Sequence, residues 1–287
     1  MGDTEPGPVV VCMKWVALRP EIDALTGVVV SDERWEGASL ADQAALESGL
    51  RFAHRIGTHC QVVTVGPSAA NAMLRDAIAR GATSAVRIDV DTTIDRQPTS
   101  ASVARLIATV IADRYPSMVL CGDWSLDRGS ASVPPYLGAM LGLDTACGLV
   151  RLEDRTEAGG WRVERRLDGG RREVLHVDGP AVLSVEGVAA VLRRAGVAEV
   201  RRAAREPIET VVAEEVDWEA TPNRVGPYRP RARILDAPAS PDPRRRVEQL
   251  TGALVDRVPP TRLSLDADDA ADLILERLRT WRTSSTS

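Results

Sequence analysis

The sequence predicts an α/β protein with a doubly wound, mainly parallel sheet, an antiparallel extension and a C-terminal helical arm. Three observations carry that expectation. Short, fully apolar strand segments alternate with segments of helical periodicity over the first two-thirds of the chain. From about Thr145 the grammar changes to short strands broken by Gly159-Gly160 and Gly169-Gly170, which is the spacing of antiparallel hairpins. After Val212 the chain becomes proline-rich and then helical again.

Taken in order, Val9–Trp15 is an apolar strand and Gly27–Ser31 a short β-branched segment suited to a hairpin arm. Leu40–Ile56 places Leu40, Ala44, Leu46, Leu50 and Ala53 near one face of a helix, with Ser39 as N-cap. Gln61–Val65 is a strand ended by Gly66-Pro67, and Ser68–Ala79 a helix closed by Gly81. Ser84–Val90 is a strand, Thr99–Arg114 a helix stopped by Pro116, Met118–Cys121 a strand and Pro134–Leu141 a helix. Cys147–Leu152, Trp161–Leu167 and Arg171–Val177 form the hairpins; Ala181–Val185 and Ile208–Val212 are further strands. Thr221–Pro243 is an extended arm, followed by helices at Pro243–Val258 and Asp266–Arg282. In the last, Ala270, Leu273, Ile274, Leu278 and Trp281 make an apolar stripe that needs a surface to cover. The expected organisation is an α/β domain over residues 8–212 and a linker with helical arm over 213–287.

Composition excludes several classes. At 287 residues with 44% hydrophobic and 27% charged side chains, the chain can bury a full core. A net charge of −5 argues against nucleic acid as a partner, since phosphate neutralisation needs a basic face. No apolar run suits a bilayer span, so stable membrane insertion is not expected. Met1–Pro8 carries two acids and no base, unlike a secretion signal, and the default location is cytoplasmic. Cys12, Cys60, Cys121 and Cys147 are scattered, without the pairing of a zinc site. Lys14 is the only lysine; every other member of the 36 Lys and Arg residues is arginine. Coding bias accounts for most of that, yet a compact point charge at the end of the first strand is not equivalent to a planar fork.

The stretch that carries chemistry is Val119–Val133. An apolar strand runs into a small, polar loop that leads to a helix start, where unpaired amides and the helix dipole favour an anion. An ordinary strand-to-helix connection is the plainer reading of that segment by itself. Gly129 and Ser130-Ala131-Ser132 would let backbone amides approach a phosphate, with serine hydroxyls as further donors.

Several motifs, in order, give the chain a likeness to a known family. They are Met13-Lys14-Trp15-Val16; Ser39-Leu40-Ala41-Asp42 ahead of Ala45-Leu46-Glu47; and Val63-Thr64-Val65-Gly66-Pro67. They continue with Leu74-Arg75-Asp76-Ala77-Ile78-Ala79-Arg80-Gly81-Ala82, the loop Gly122–Pro135, Val163–Gly170 and Pro180–Val185. Together they resemble the β subunit of electron transfer flavoproteins nearly end to end. The resemblance implies an adenine-nucleotide-binding type of α/β fold and no bond-breaking chemistry of its own. It also implies a heterodimer with an electron transfer flavoprotein α subunit, which holds most of a redox-active FAD. Electrons would pass from a dehydrogenase to that flavin and onward. A flavin-free nucleotide sensor acting as a homodimer is the alternative.

The resemblance also assigns residues. Nucleotide contacts, to AMP or in bifurcating relatives a second FAD, would come from Cys12, Ser39, Leu40, Ala41, Asp42 and Val65. The loop would add Gly122, Asp123, Leu126, Asp127, Arg128, Gly129, Ser130, Ala131, Ser132 and Val133. Here the family's Asn-Pro is Ser39-Leu40 and its Lys-Gln-Ala-Ile-Asp is Asp123–Asp127. Pro134 removes a donor and Asp123 adds negative charge, which leaves an altered ligand or an empty site open. Lys14 and Arg19 would face the partner's flavin. Leu192–Arg205 corresponds to the docking segment, with Val197 as anchor and Arg193, Arg194, Arg201 and Arg202 steering an acidic partner.

Overall fold

The structure is a computed structural model that describes residues 6–90, 98–155, 160–213, 215–218, 237–251 and 262–284. The chain divides into two units, Met1–Tyr228 and Arg229–Ser287. The first contains β1 (Val9–Cys12), β2 (Val16–Ala17), β3 (Glu21–Ile22), β4 (Val29–Val30), β5 (Glu36–Gly37) and α1 (Leu40–Ile56). There follow β6 (Cys60–Gly66), α2 (Asn71–Ala79), β7 (Ser84–Asp89), α3 (Ser100–Ile111), β8 (Met118–Gly122) and α4 (Val133–Leu141). The unit continues through β9 (Asp144–Arg155), β10 (Trp161–Arg166), β11 (Arg172–Val177), β12 (Ala181–Val185), α5 (Val197–Ala203) and β13 (Glu209–Val212). The second unit holds α6 (Pro243–Thr251) and α7 (Ala267–Ser284).

A nine-stranded sheet runs in the order β11-β10-β9-β12-β8-β1-β6-β7-β13. From β9 to β13 every neighbouring pair is parallel, and β9-β10-β11 is antiparallel. The mainly parallel α/β architecture with an antiparallel extension is therefore the observed one. Successive residues of β1 feed opposite layers: Val9 and Val11 join one apolar cluster with α1, while Val10 and Cys12 join another with α3. That two-sided burial is why the strand is apolar without alternation. Helix α1 lies tight against this strand, since a Cβ on Gly49 would stand 2.4 Å from a Val11 methyl.

Several elements depart from the sequence expectation. The strand expected through Trp15 stops at Cys12, because the Lys14 amide donates to the Asp42 carboxylate (3.3 Å) in place of a neighbouring strand. The Gly27–Ser31 segment is a hairpin arm, with β4 pairing β3. The stretch expected to start at Cys147 begins at Asp144, since β9 serves two partners: it runs parallel to β12 first and antiparallel to β10 afterwards. Thr99 caps α3 by accepting from the Ser102 amide (3.0 Å), and residues 112–114 form a tighter turn. Within the Leu192–Arg205 segment, Val197–Ala203 is helical. Residues 221–236 of the expected arm and 252–258 of the first expected C-terminal helix lie outside the described residues.

Candidate functional site

Strand β1 is the point where the sheet's winding reverses. The chain moves from it to β6 and β7 on one side and to β8 and β12 on the other. At the carboxyl ends of these strands, Cys12 lies level with Val63 and with Cys121, and a crevice opens above them. It is a cleft of about 920 Å³ including its open mouth, bounded by α1, α3, the 122–132 loop and the start of α4.

The floor is set by a capping box. Ser39, the N-cap of α1, accepts from the Asp42 amide (3.1 Å), and the Asp42 carboxyl is engaged in turn by Ser39. Asp42 is buried, and burial pushes its carboxyl up to about 6 against the Lys14 amide, Ser39 and the Lys14 charge. Gly122 passes directly over it. A Cβ there would sit 2.7 Å from Asp42 Oδ1 and 3.0 Å from the Asp42 amide nitrogen, so the strand end needs glycine for close approach and not for its dihedral angles. Gly122→Ala is expected to cost about 1–3 kcal/mol and to distort the cleft floor. Chemical denaturation measures this, and unchanged stability would show that Asp42 moves freely.

The wall is the 122–132 loop. Lys14 Nζ reaches Asp127 Oδ2 at 2.6 Å, and both side chains are about one-third exposed. Burial would raise the Asp127 carboxyl, but the Lys14 charge and hydrogen bond outweigh it and the net shift is down. Asp123 differs. Burial, and then the Glu186 charge, push its carboxyl up to about 6, and its Oδ1 is buried with no hydrogen-bond partner among the described residues. Cys12 and Cys121 meet at the base. The hydrogen bond that the Cys121 thiol donates to Cys12, and then burial, hold it well above its ordinary value, so it is no thiolate nucleophile.

Of the residues expected at the nucleotide site, Cys12, Asp42, Val65, Gly122, Asp123, Arg128, Ser130, Ala131, Ser132 and Val133 line this cleft, together with Lys14. The others stand behind or beside it. Ser39 is the buried cap, Ala41 packs under Gly122, and Leu40 and Leu126 are exposed. Gly129 has φ of 59°, a turn conformation that suits glycine. Arg19 lies over the Trp35 ring, 3.9 Å from its centroid, which gives it an aromatic partner. The sequence reading missed Met13, Trp15, Pro98, Ser100, Val103, Ile107 and Cys121 as lining residues. Val103 and Ile107 come from α3, whose periodicity announces a covering helix but not which of its ends looks into a crevice.

The expected docking residues fall into two groups. Val197, 72% exposed, opens α5, and Arg194, Arg201 and Arg202 are exposed around it. Arg193 is tied to the body: its amide (3.1 Å) and guanidinium (2.9 and 3.1 Å) donate to the buried Glu47 carboxylate of α1. Glu47 thereby anchors the coil that presents the exposed Val188 and Val191. Among the described residues no group of acidic, histidine and cysteine side chains suits a metal, and no helix is long and apolar enough to cross a membrane.

Comparison with known proteins meets this geometry. The electron transfer flavoprotein domain matches residues 26–216. The electron transfer flavoprotein subunit beta of Bradyrhizobium diazoefficiens is 27% identical over 175 residues, covering 60% of this chain and 68% of that one. Its counterpart in Methylophilus methylotrophus is 28% identical over 195 residues, 67% of this chain and 72% of that one. Protein FixA of Azorhizobium caulinodans is 29% identical over 219 residues, 74% and 75% of the two chains. The matched span runs from the hairpin through the cleft and the Glu47-anchored coil to just past β13. The chain belongs to the electron transfer flavoprotein β-subunit family.

Proposed function

We propose that this chain is the β half of a heterodimer whose α subunit carries a redox-active FAD. The pair takes electrons from a dehydrogenase and delivers them to a downstream acceptor, and the β chain breaks no bonds itself. The observation that carries the reading is the coil and helix of residues 188–203, held against the body by the Arg193–Glu47 tie. They expose Val191, Val197 and Val200 beside Arg194, Arg201 and Arg202. An aliphatic tip ringed by arginines suits docking on an acidic redox partner. Residues 8–212 form the body, and 213–287 an arm that packs on the α subunit through the apolar residues of α7. Lys14 and Arg19 lie on the edge assigned to the partner's flavin, where a cation stabilises an anionic reduced ring. The switch-point cleft is this subunit's own small-molecule site.

The test is functional reconstitution. Adding this chain to its FAD-loaded partner should let an upstream dehydrogenase and its substrate bleach the flavin absorbance. No bleaching beyond that of the partner without this chain would contradict the reading. Val197→Asp should slow that reduction by about tenfold or more, because burying one aliphatic anchor is worth about 1.5–3 kcal/mol. Assembly with the α subunit should be unchanged. An unaltered rate removes Val197 from the interface.

A further inference from the structure

The family implies AMP in this cleft, and the chain's own residues do not fit a phosphate. A helix start leaves four amide positions open to an anion. At α4 these are Ser132, Val133, Pro134 and Pro135, and the two prolines carry no N–H. The Tyr136 amide is already turned to the Ser132 carbonyl (3.3 Å). Two further donors of the loop serve the loop itself. The Ser132 hydroxyl donates to the Ser130 carbonyl (2.9 Å), and the Gly129 amide to Ser125 Oγ (3.4 Å). Both cations of the lining are engaged as well, Lys14 with Asp127 and Arg128 with the Pro98 carbonyl (2.9 Å). Asp123 lines the same cleft; backbone amides of the loop hydrogen-bond its carboxyl, its buried Oδ1 has no partner among the described residues, and Glu186 is close enough to raise its proton affinity.

The rest of the lining is apolar or aromatic, with Met13, Trp15, Val65, Val103, Ile107 and Trp124 prominent. Such walls and one under-satisfied carboxylate acceptor call for a flat ring that offers a donor. We propose that the cleft takes an uncharged, nucleoside-like ligand that donates a hydrogen bond to Asp123 and discriminates against the phosphorylated form. A dianionic phosphate at the α4 end would exchange its hydration for a helix start that lacks two of its four amides and a carboxylate nearby, a loss that the Ser132 and Val133 amides offset only in part. The inference rests on the cleft's being the subunit's ligand site.

The experiment is calorimetric titration of the full-length chain with two pairs of probes, adenosine against AMP and riboflavin against FMN. In whichever pair binds, the uncharged member should be tighter by about tenfold or more. Pro134→Ala with Pro135→Ala restores two amides, and Asp123→Asn removes the charge while keeping an acceptor. The triple variant should gain about tenfold in affinity for the phosphorylated probe, while Asp123→Asn by itself should weaken the uncharged one severalfold. Tighter binding of AMP or FMN by the natural chain would overturn the proposal. So would a triple variant with no gain for phosphate. Absence of binding by all four probes would remove the cleft as a ligand site and this inference with it, while leaving the electron-transfer reading to its own test.

Discussion

Replacing Ile274 and Leu278 together by aspartate should abolish assembly with the flavin-bearing subunit. Both lie four residues apart on α7, a spacing that puts them on one face of the helix, and both are exposed, at 59% and 46%. The helix opens with Asp268 and Asp269, whose charges suit its N-terminal dipole, and Asp266 accepts from both of their amides. A helix with a finished start and an uncovered aliphatic face is built to be covered. Burying the two side chains against a partner is worth about 3–6 kcal/mol, which converts to a weakening of roughly 10²- to 10⁴-fold on their loss. Size-exclusion chromatography of the mixed subunits reads the outcome, and thermal unfolding checks that the first unit is untouched. Undiminished co-elution of the double variant would remove α7 from the interface.

Glu47→Gln carries the largest expected stability effect in the body. Its carboxylate accepts three bonds from Arg193 and one from Arg51 Nε (2.8 Å). Arg193 is partly exposed, so the loss is set below that of a fully buried pair, at about 2–3 kcal/mol. Burial by itself would raise the Glu47 carboxyl; the Arg193 and Arg51 hydrogen bonds outweigh it and leave it below its ordinary 4.5. A depressed carboxyl stabilises the fold fully above its unfolded value and loses that contribution as pH falls through the folded one. The stability gap between the natural chain and Glu47→Gln should therefore be full at neutral pH and shrink below about 4.5. Asp42 and Asp123 act with the opposite sign. Both are pushed up to about 6, so the folded state holds more protons than the unfolded chain between roughly 4 and 6, and their penalty eases as pH falls. Urea unfolding of both proteins across that range measures the gap, and a constant gap would contradict the assignment. The same variant should also slow reduction by the dehydrogenase, since it frees the coil that carries Val191.

Much of this molecule was legible in the sequence, and the reasons are physical. Strands buried on both faces read as unbroken apolar runs, so β1, β6, β8 and β12 stood out. Ser39 and Thr99 announced helix starts because a side-chain oxygen ahead of an apolar-periodic run has one common use. The loop after β8 was recognisable from its small and polar residues. What sequence could not supply was long-range pairing. Nothing near Arg193 says that it answers a glutamate 146 residues away, so its part as a tether was not visible. Lys14 and Asp127 are 113 positions apart, and only the fold sets them 2.6 Å from each other. Pro135 drew no attention because its cost becomes visible only when α4 is known to start at Val133 and to face the cleft.

The most direct measurement is native mass spectrometry, with absorbance, of this chain co-expressed with its flavin-bearing partner. The account predicts a yellow one-to-one complex holding FAD, and loss of the flavin signal when the partner is omitted. A stable, colourless homodimer of this chain that ignores the partner would contradict it.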